Sequence, residues 1–310
     1  MTRRRSAVLA SAFTLSLLLG ACSDDSTVDS ADDDSADTTD AAGDEAAAGF
    51  TVTLSAEGIE IPDEVAGGIV EVTLETDLED TDISFTKVPE GTSEADFRDA
   101  IANATTGKSI PEVIEATVGL DGTQTIDLPA GNYFAWADKP RPEGEEGGEE
   151  EGGPPEPDPD AFLTKALTVT AGADGELPDT GSSITAREYS FDVKVTAGGE
   201  KFTFRNEGPD QIHHAEVFNF GKIAAADVEE NLETFLQSDG EGEKPAAFKD
   251  LDMSKFEAGG SGVFSPGLGG TADATFESGN TYAVICFISD REGGPPHVFS
   301  KGMRTVFTVE

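Results

Sequence analysis

The stretch Glu277-Ser-Gly-Asn-Thr-Tyr-Ala-Val-Ile-Cys286 has a counterpart earlier in the chain, Pro129-Ala-Gly-Asn-Tyr-Phe-Ala-Trp-Ala137. Each is a glycine turn running into a strand of aromatic, β-branched and small apolar residues. Each is followed by a Gly/Pro-rich loop and a further strand containing Thr-Val. Two copies of one antiparallel unit are the simplest source of such a match.

Working outward from Pro129–Ala137, residues 50–54, 69–74, 83–88, 123–128 and 133–137 alternate or are rich in β-branched and aromatic side chains, and 166–170 closes the unit. Between these strands, Ser93-Glu-Ala-Asp96 reads as a capping box, and Phe97, Ile101 and Ala104 fall at helical spacing. Outward from the later stretch the order recurs. Strands are expected at 189–195, 201–206 and 215–220, and a helix carries Val228, Leu232, Phe235 and Leu236 on one face. Strands at 262–264, 272–276, 282–287 and 305–309 follow. The expected class is all-β: two tandem antiparallel Greek-key sandwiches, 49–170 and 184–310, each with a short helical insertion, joined by a Gly/Asp/Ser linker at 171–183. Leu177-Pro-Asp-Thr-Gly181 in that linker matches a sortase signal, but a folded segment follows it where a hydrophobic tail is needed, so it reads as coincidence.

Arg3, Arg4 and Arg5 precede an apolar run at 7–19 that is too short to span a bilayer as a stable helix, the pattern of an export signal over 1–21. It ends Leu19-Gly-Ala-Cys22, which resembles the bacterial lipobox, so Cys22 is expected to carry lipid and hold the chain to the extracytoplasmic face of the cell membrane. Residues 22–48 are acidic and nearly devoid of apolar groups, a composition that favours a disordered tether. A second Glu/Gly/Pro tract at 139–160 reads as a solvated loop. The net charge of −42 disfavours nucleic acid and favours basic partners. A hydrophobic fraction of 37% fits a chain with long solvated segments.

With Cys22 lipidated, Cys286 has no disulfide partner in an oxidising compartment. Around it the second unit gathers every histidine of the chain, His213, His214 and His297, together with Met303. One thiolate, imidazoles and a thioether are the ligand set of a mononuclear electron-transfer copper site. His213 and His214 face opposite sides of any strand, so one of them at most can be a ligand, and the pattern leaves open which.

The sequence Asn206-Glu-Gly208 before His213, Tyr282 four residues before Cys286, and Gly302-Met303 together resemble the cupredoxin (plastocyanin-like blue-copper) family. The resemblance implies a cupredoxin-like fold, one copper ion, His213 or His214 and His297 as imidazole ligands, Cys286 as the thiolate and Met303 as the weak axial ligand. Ten residues separate Cys286 from His297 and five separate His297 from Met303, more than is usual in that family. The additional residues, Ser289 to Pro295, read as a turn that projects outward and returns at Pro296-His297. The first unit has Ala137 in the place of Cys286 and no histidine, so it is expected to keep the fold without the metal.

The function implied is a lipid-anchored copper protein that carries single electrons or handles copper, with an acidic surface that steers a basic redox partner. The competing reading is a metal-free lipoprotein whose sandwiches serve binding or structure, with Cys286 as core. An enzyme is not expected: three histidines are too few for a multicopper oxidase or nitrite reductase, and no hydrolytic triad, zinc motif or phosphate loop occurs.

Overall fold

The computed structural model describes residues 49–78, 81–140, 156–172, 175–237 and 244–310. The signal segment, Cys22, the tether and the tract 141–155 lie outside them. The described chain is predominantly β.

In the first half the strands are β1 (Gly49–Ser55), β2 (Gly58–Glu60), β3 (Glu64–Ala66), β4 (Gly68–Thr76), β5 (Ile83–Val88), β6 (Ala116–Leu120), β7 (Thr123–Leu128), β8 (Gly131–Asp138) and β9 (Phe162–Thr170), with helix α1 (Glu94–Thr105) between β5 and β6. The second half has β10 (Ser183–Ala186), β11 (Phe191–Lys194), β12 (Lys201–Asn206), β13 (Glu216–Asn219), β14 (Glu257–Gly260), β15 (Gly269–Ala274), β16 (Thr281–Ile285) and β17 (Arg304–Thr308). Helix α2 (Ala225–Gln237) lies between β13 and β14, and a single turn, α3 (His297–Ser300), lies between β16 and β17.

Local chemistry sets these elements. Ser93 caps α1 by accepting the Asp96 N–H at 3.1 Å, and Phe97 then stacks on Phe134 with ring centroids 4.5 Å apart. Helix α2 buries Val228, Leu232 and Phe235 beside Phe248 and Phe256. Tyr133 and Tyr282, matched in the two quoted stretches, are both buried and both turn their hydroxyls back onto the preceding turn. Tyr133 donates to the Pro129 carbonyl at 2.7 Å, and Tyr282 accepts the Glu277 N–H at 2.7 Å.

The pairing order occurs twice. Strand β1 runs parallel to β4 and antiparallel to β2, and β4 pairs with β7. Likewise β10 runs parallel to β12 and antiparallel to β11, and β12 pairs with β15. The second layer of the first half is β3-β9-β8-β5-β6, and its counterpart in the second half runs β17-β16-β13-β14.

The halves are nonetheless more continuous than two sandwiches on a linker. Strand β14 pairs with β15, and β15 meets β7 at Gly270 and Ile126, so one sheet passes through both halves. The linker is partly structured: β10 begins inside it, Leu177 is buried, and Thr203 donates to the Pro178 carbonyl at 2.7 Å. The strand expected at 262–264 is displaced. Strand β14 lies earlier, and Phe264 alone of that segment forms bridges, to Val118 of β6 and to His213. Gly262 explains its path, because a Cβ there would sit 1.9 Å from the Gly119 carbonyl oxygen.

Candidate metal centre

Cys286 immediately follows β16, with its N–H donated to the Met303 carbonyl at 3.3 Å. His297 opens α3; its N–H bonds the Ile288 carbonyl at 2.7 Å, and its own carbonyl accepts the Met303 N–H at 3.1 Å. His213 comes from the opposite side, where its backbone exchanges both bonds with Phe264, at 3.1 and 2.8 Å. Buried Asn206 holds that turn, donating to the Gln211 and Phe264 carbonyls at 2.8 and 2.7 Å and accepting the Gly208 N–H at 3.0 Å. Leaving these groups unpaired would cost about 1–3 kcal/mol each, which makes the Asn-x-Gly turn a firm mount for His213.

These backbone restraints bring three ligand atoms together. Nδ1 of His213 is 3.7 Å from Cys286 Sγ and Nδ1 of His297 is 3.5 Å from it. The three candidate ligand atoms all lie within 4.8 Å of one another, and the three side chains are wholly buried. Met303 is also fully buried and belongs to the same core cluster as Cys286.

His214 is turned elsewhere. Its Nε2 accepts the Phe287 N–H at 2.7 Å, which places the ring proton on Nδ1, 3.3 Å from Glu216 Oε1. Of the two adjacent histidines only His213 reaches the cluster. Cys22 lies outside the described residues.

The electrostatics fit a cation. Burial pushes the Cys286 thiol up to about 12, and burial, reinforced by His297, takes His213 down to about 4. The Glu188 backbone acts on His213 in the opposite sense. His297 is likewise lowered by burial, partly offset by Asp290. Burial thus favours two neutral imidazoles and a protonated thiol, and a cation held between them would favour the thiolate. Nε2 of His213 is buried with no well-formed hydrogen bond.

A second group of residues, which the sequence reading passed over, surrounds His297. Asp290 Oδ1 lies 3.2 Å from His297 Nε2, without a well-formed hydrogen bond, and accepts the Tyr189 hydroxyl at 2.9 Å. Lys301 Nζ is 2.7 Å from Asp290 Oδ2 and 4.8 Å from the centre of the Tyr189 ring. Tyr189 is edge-on to both ligand-type rings, with centroids 5.3 Å from His297 and 6.4 Å from His213. Burial works to raise the Asp290 carboxyl, but hydrogen bonds from Lys301 and Tyr189 overcome it and hold it below its ordinary range. A carboxylate on the far nitrogen leaves Nδ1 of His297 free for a metal. The only sequence signal for Asp290 was its position in the long loop between Cys286 and His297.

Two nitrogens and one thiolate, without carboxylate oxygen, do not suit calcium or magnesium. The buried set fits a single copper ion, for which imidazole and thiolate are preferred donors.

No protein-family model and no curated protein sequence matches the chain. Among solved structures it is similar to reduced auracyanin from Roseiflexus castenholzii, at 24% identity over 41% of this chain and 94% of that one, with a TM-score of 0.25. It is also similar to auracyanin A, a "blue" copper protein from Chloroflexus aurantiacus, at 20% identity over 41% and 96%, TM-score 0.24. Copper nitrite reductase from Nitrosomonas europaea aligns over 85% of this chain and 93% of that one, at 12% identity and a TM-score of 0.20. At these scores the functional reading rests on the site itself.

Proposed function

We propose that this protein is a lipid-anchored, extracytoplasmic copper protein built of two tandem cupredoxin-like units. Its second unit would hold one ion through His213 Nδ1, Cys286 Sγ and His297 Nδ1, with Met303 as a weak fourth contact. The observation that carries this reading is the convergence of three wholly buried ligand atoms from three separate parts of the chain.

Copper held there supplies one-electron transfer. The chain's own residues do the rest. Cys286 and Met303 sit in the main apolar cluster and help exclude water, while Asn206 holds the backbone turn that carries His213 and the Asp290 carboxylate sits against the far nitrogen of His297. The proposed role is therefore a carrier or copper-handling protein rather than an enzyme, with membrane attachment through Cys22 and a basic redox protein as partner. The acidic composition would steer such a partner.

The test is Cu(II) titration of the purified protein followed in the visible spectrum, beside Cys286→Ser. An intense thiolate-to-copper band at one equivalent, absent from the variant, is the expected result. Weak colourless binding, equal in both proteins, would favour the metal-free reading, in which the second half is a sandwich as empty of metal as the first.

A further inference from the structure

We infer that the ligand-free first half is the fixed wall of the metal site, setting how tightly the ligand loop is closed and how readily metal enters and leaves. The inference rests on the reading of His213, Cys286 and His297 as a metal centre and adds a role for the half that has no ligands.

Of the ten residues between Cys286 and His297, Glu292, Gly294 and Pro295 are exposed, yet the tip of the loop docks on the first half through Arg291, Gly293 and Gly294. The loop is pinched at its base by a bridge between Ser289 and Pro296. At its tip, Arg291 donates from Nη2 to the Ile114 carbonyl at 3.0 Å, and the Arg291 carbonyl accepts the Ile110 N–H at 2.7 Å. The Gly294 N–H bonds the Gly107 carbonyl at 3.1 Å. Gly293, at φ +86°, passes so close that a Cβ would lie 2.9 Å from the Gly107 carbonyl oxygen and from backbone atoms of Lys108 and Ser109. The loop tip also reaches back to the His213 side, where the Arg291 N–H donates to Gln211 Oε1 at 2.8 Å.

His213 is tied to the same wall by a different route. The Gly119 N–H donates to the Val263 carbonyl at 2.7 Å, the Ser265 N–H to the Thr117 carbonyl at 2.9 Å, and the Thr117 N–H to Ser265 Oγ at 2.8 Å. Phe264, between them, carries the backbone of His213. His213 thus reaches residues 117–119 through the segment around Phe264, and His297 lies three residues beyond Gly294, which bonds Gly107. A loop longer than the chemistry needs becomes intelligible as the piece that reaches this wall. Opening the site requires breaking these bonds together, so their number governs how often the site opens.

The test uses the full-length chain carrying Cys22→Ser, which leaves Cys286 as the sole thiol. Two variants loosen the wall from different sides. Arg291→Ala removes the guanidinium bond to Ile114, and Gly262→Ala wedges a methyl against Gly119. Leu54→Val, in β1 near the far end of the sheet order from β16, is the control for general destabilisation. Without metal, the readout is the rate at which Cys286 reacts with a small alkylating reagent under native conditions. With copper, the readouts are the rate of removal by a chelator and the reduction potential. Both wall variants should speed alkylation and copper removal and shift the potential, Arg291→Ala by about tenfold in rate, as expected when one hydrogen bond no longer opposes opening, while the control does neither. Unchanged alkylation and removal rates in both wall variants, or equal acceleration in Leu54→Val, would overturn the inference. If the parent binds no copper, the metal assignment fails by itself and the alkylation rates alone decide on the wall. If Gly262→Ala does not fold, Arg291→Ala decides.

Discussion

The two halves share a pairing order and differ in what occupies equivalent positions. Tyr133 pairs with Leu167 as Tyr282 pairs with Phe307, so the registers can be laid over one another. Ala137 then stands where Cys286 does and Leu163 where Met303 does, and counting back from β5 puts Thr81 in the place of His213. The fourth position, that of His297, falls in the first half on the loop between β8 and β9, which contains no histidine. The framework thus stands without ligands. The candidate metal site is a set of side-chain substitutions on it, together with a loop of different length and sequence between the last two strands.

The most drastic way to break the comparison is to make the second half resemble the first. Cys286→Ala installs the residue found at position 137; it should lower copper affinity by more than about 100-fold, measured by competition with a chromophoric chelator, while the fold persists. A second difference appears in acid. All three histidines lie in the second half, and the folded imidazole of His213 titrates at about 4 against an ordinary 6.5. Its folded-state pKa is depressed, so its contribution is fully present above pH 6.5 and is lost as pH falls toward 4, because the unfolded chain takes up the proton first. Metal-free protein should lose about 3 kcal/mol between these limits in urea unfolding, and His213→Gln should flatten that dependence.

Asp290→Asn sharpens the comparison at the loop. Copper affinity should fall about 10–100-fold with the visible band retained, since the amide still fills the space but no longer holds His297 through a charge. The smallest effect is expected from the reverse substitution. Ala137→Cys placed in the Cys286→Ala background should produce no thiolate-to-copper band on copper titration, because no imidazole faces that position, and should change stability by about 1–2 kcal/mol. A band from that variant alone would show that the framework, and not the ligand set, makes the site.

Much of this was legible before any coordinates. Strands β5, β7 and β12 fall at the expected residues because their alternation is regular and their ends are marked by Gly, Pro, Asp or Asn. Helix α1 starts where its capping serine says. Strands β2, β3, β6 and β10 were not legible, since runs of three to five residues containing Gly, Glu or Ser carry almost no periodic signal and owe their form to the strands beside them. The same holds for the contact between the halves: the close approach of Gly119 and Gly262 depends on two glycines far apart in sequence, with nothing local to announce it. At the site, the residue types and their order were readable. The choice between His213 and His214 was not, because the segment is not a regular strand and Phe264, not a period-two rule, fixes its orientation. Asp290 escaped notice for a related reason, as a single carboxylate in a turn means nothing until the loop folds back on His297.

X-ray absorption at the copper edge of the loaded protein tests the central claim most directly. The account predicts one copper per chain with a single sulfur at short distance and two imidazole nitrogens in the first shell, the sulfur vanishing in Cys286→Ala. A first shell of nitrogen and oxygen only, unchanged in that variant, would contradict it.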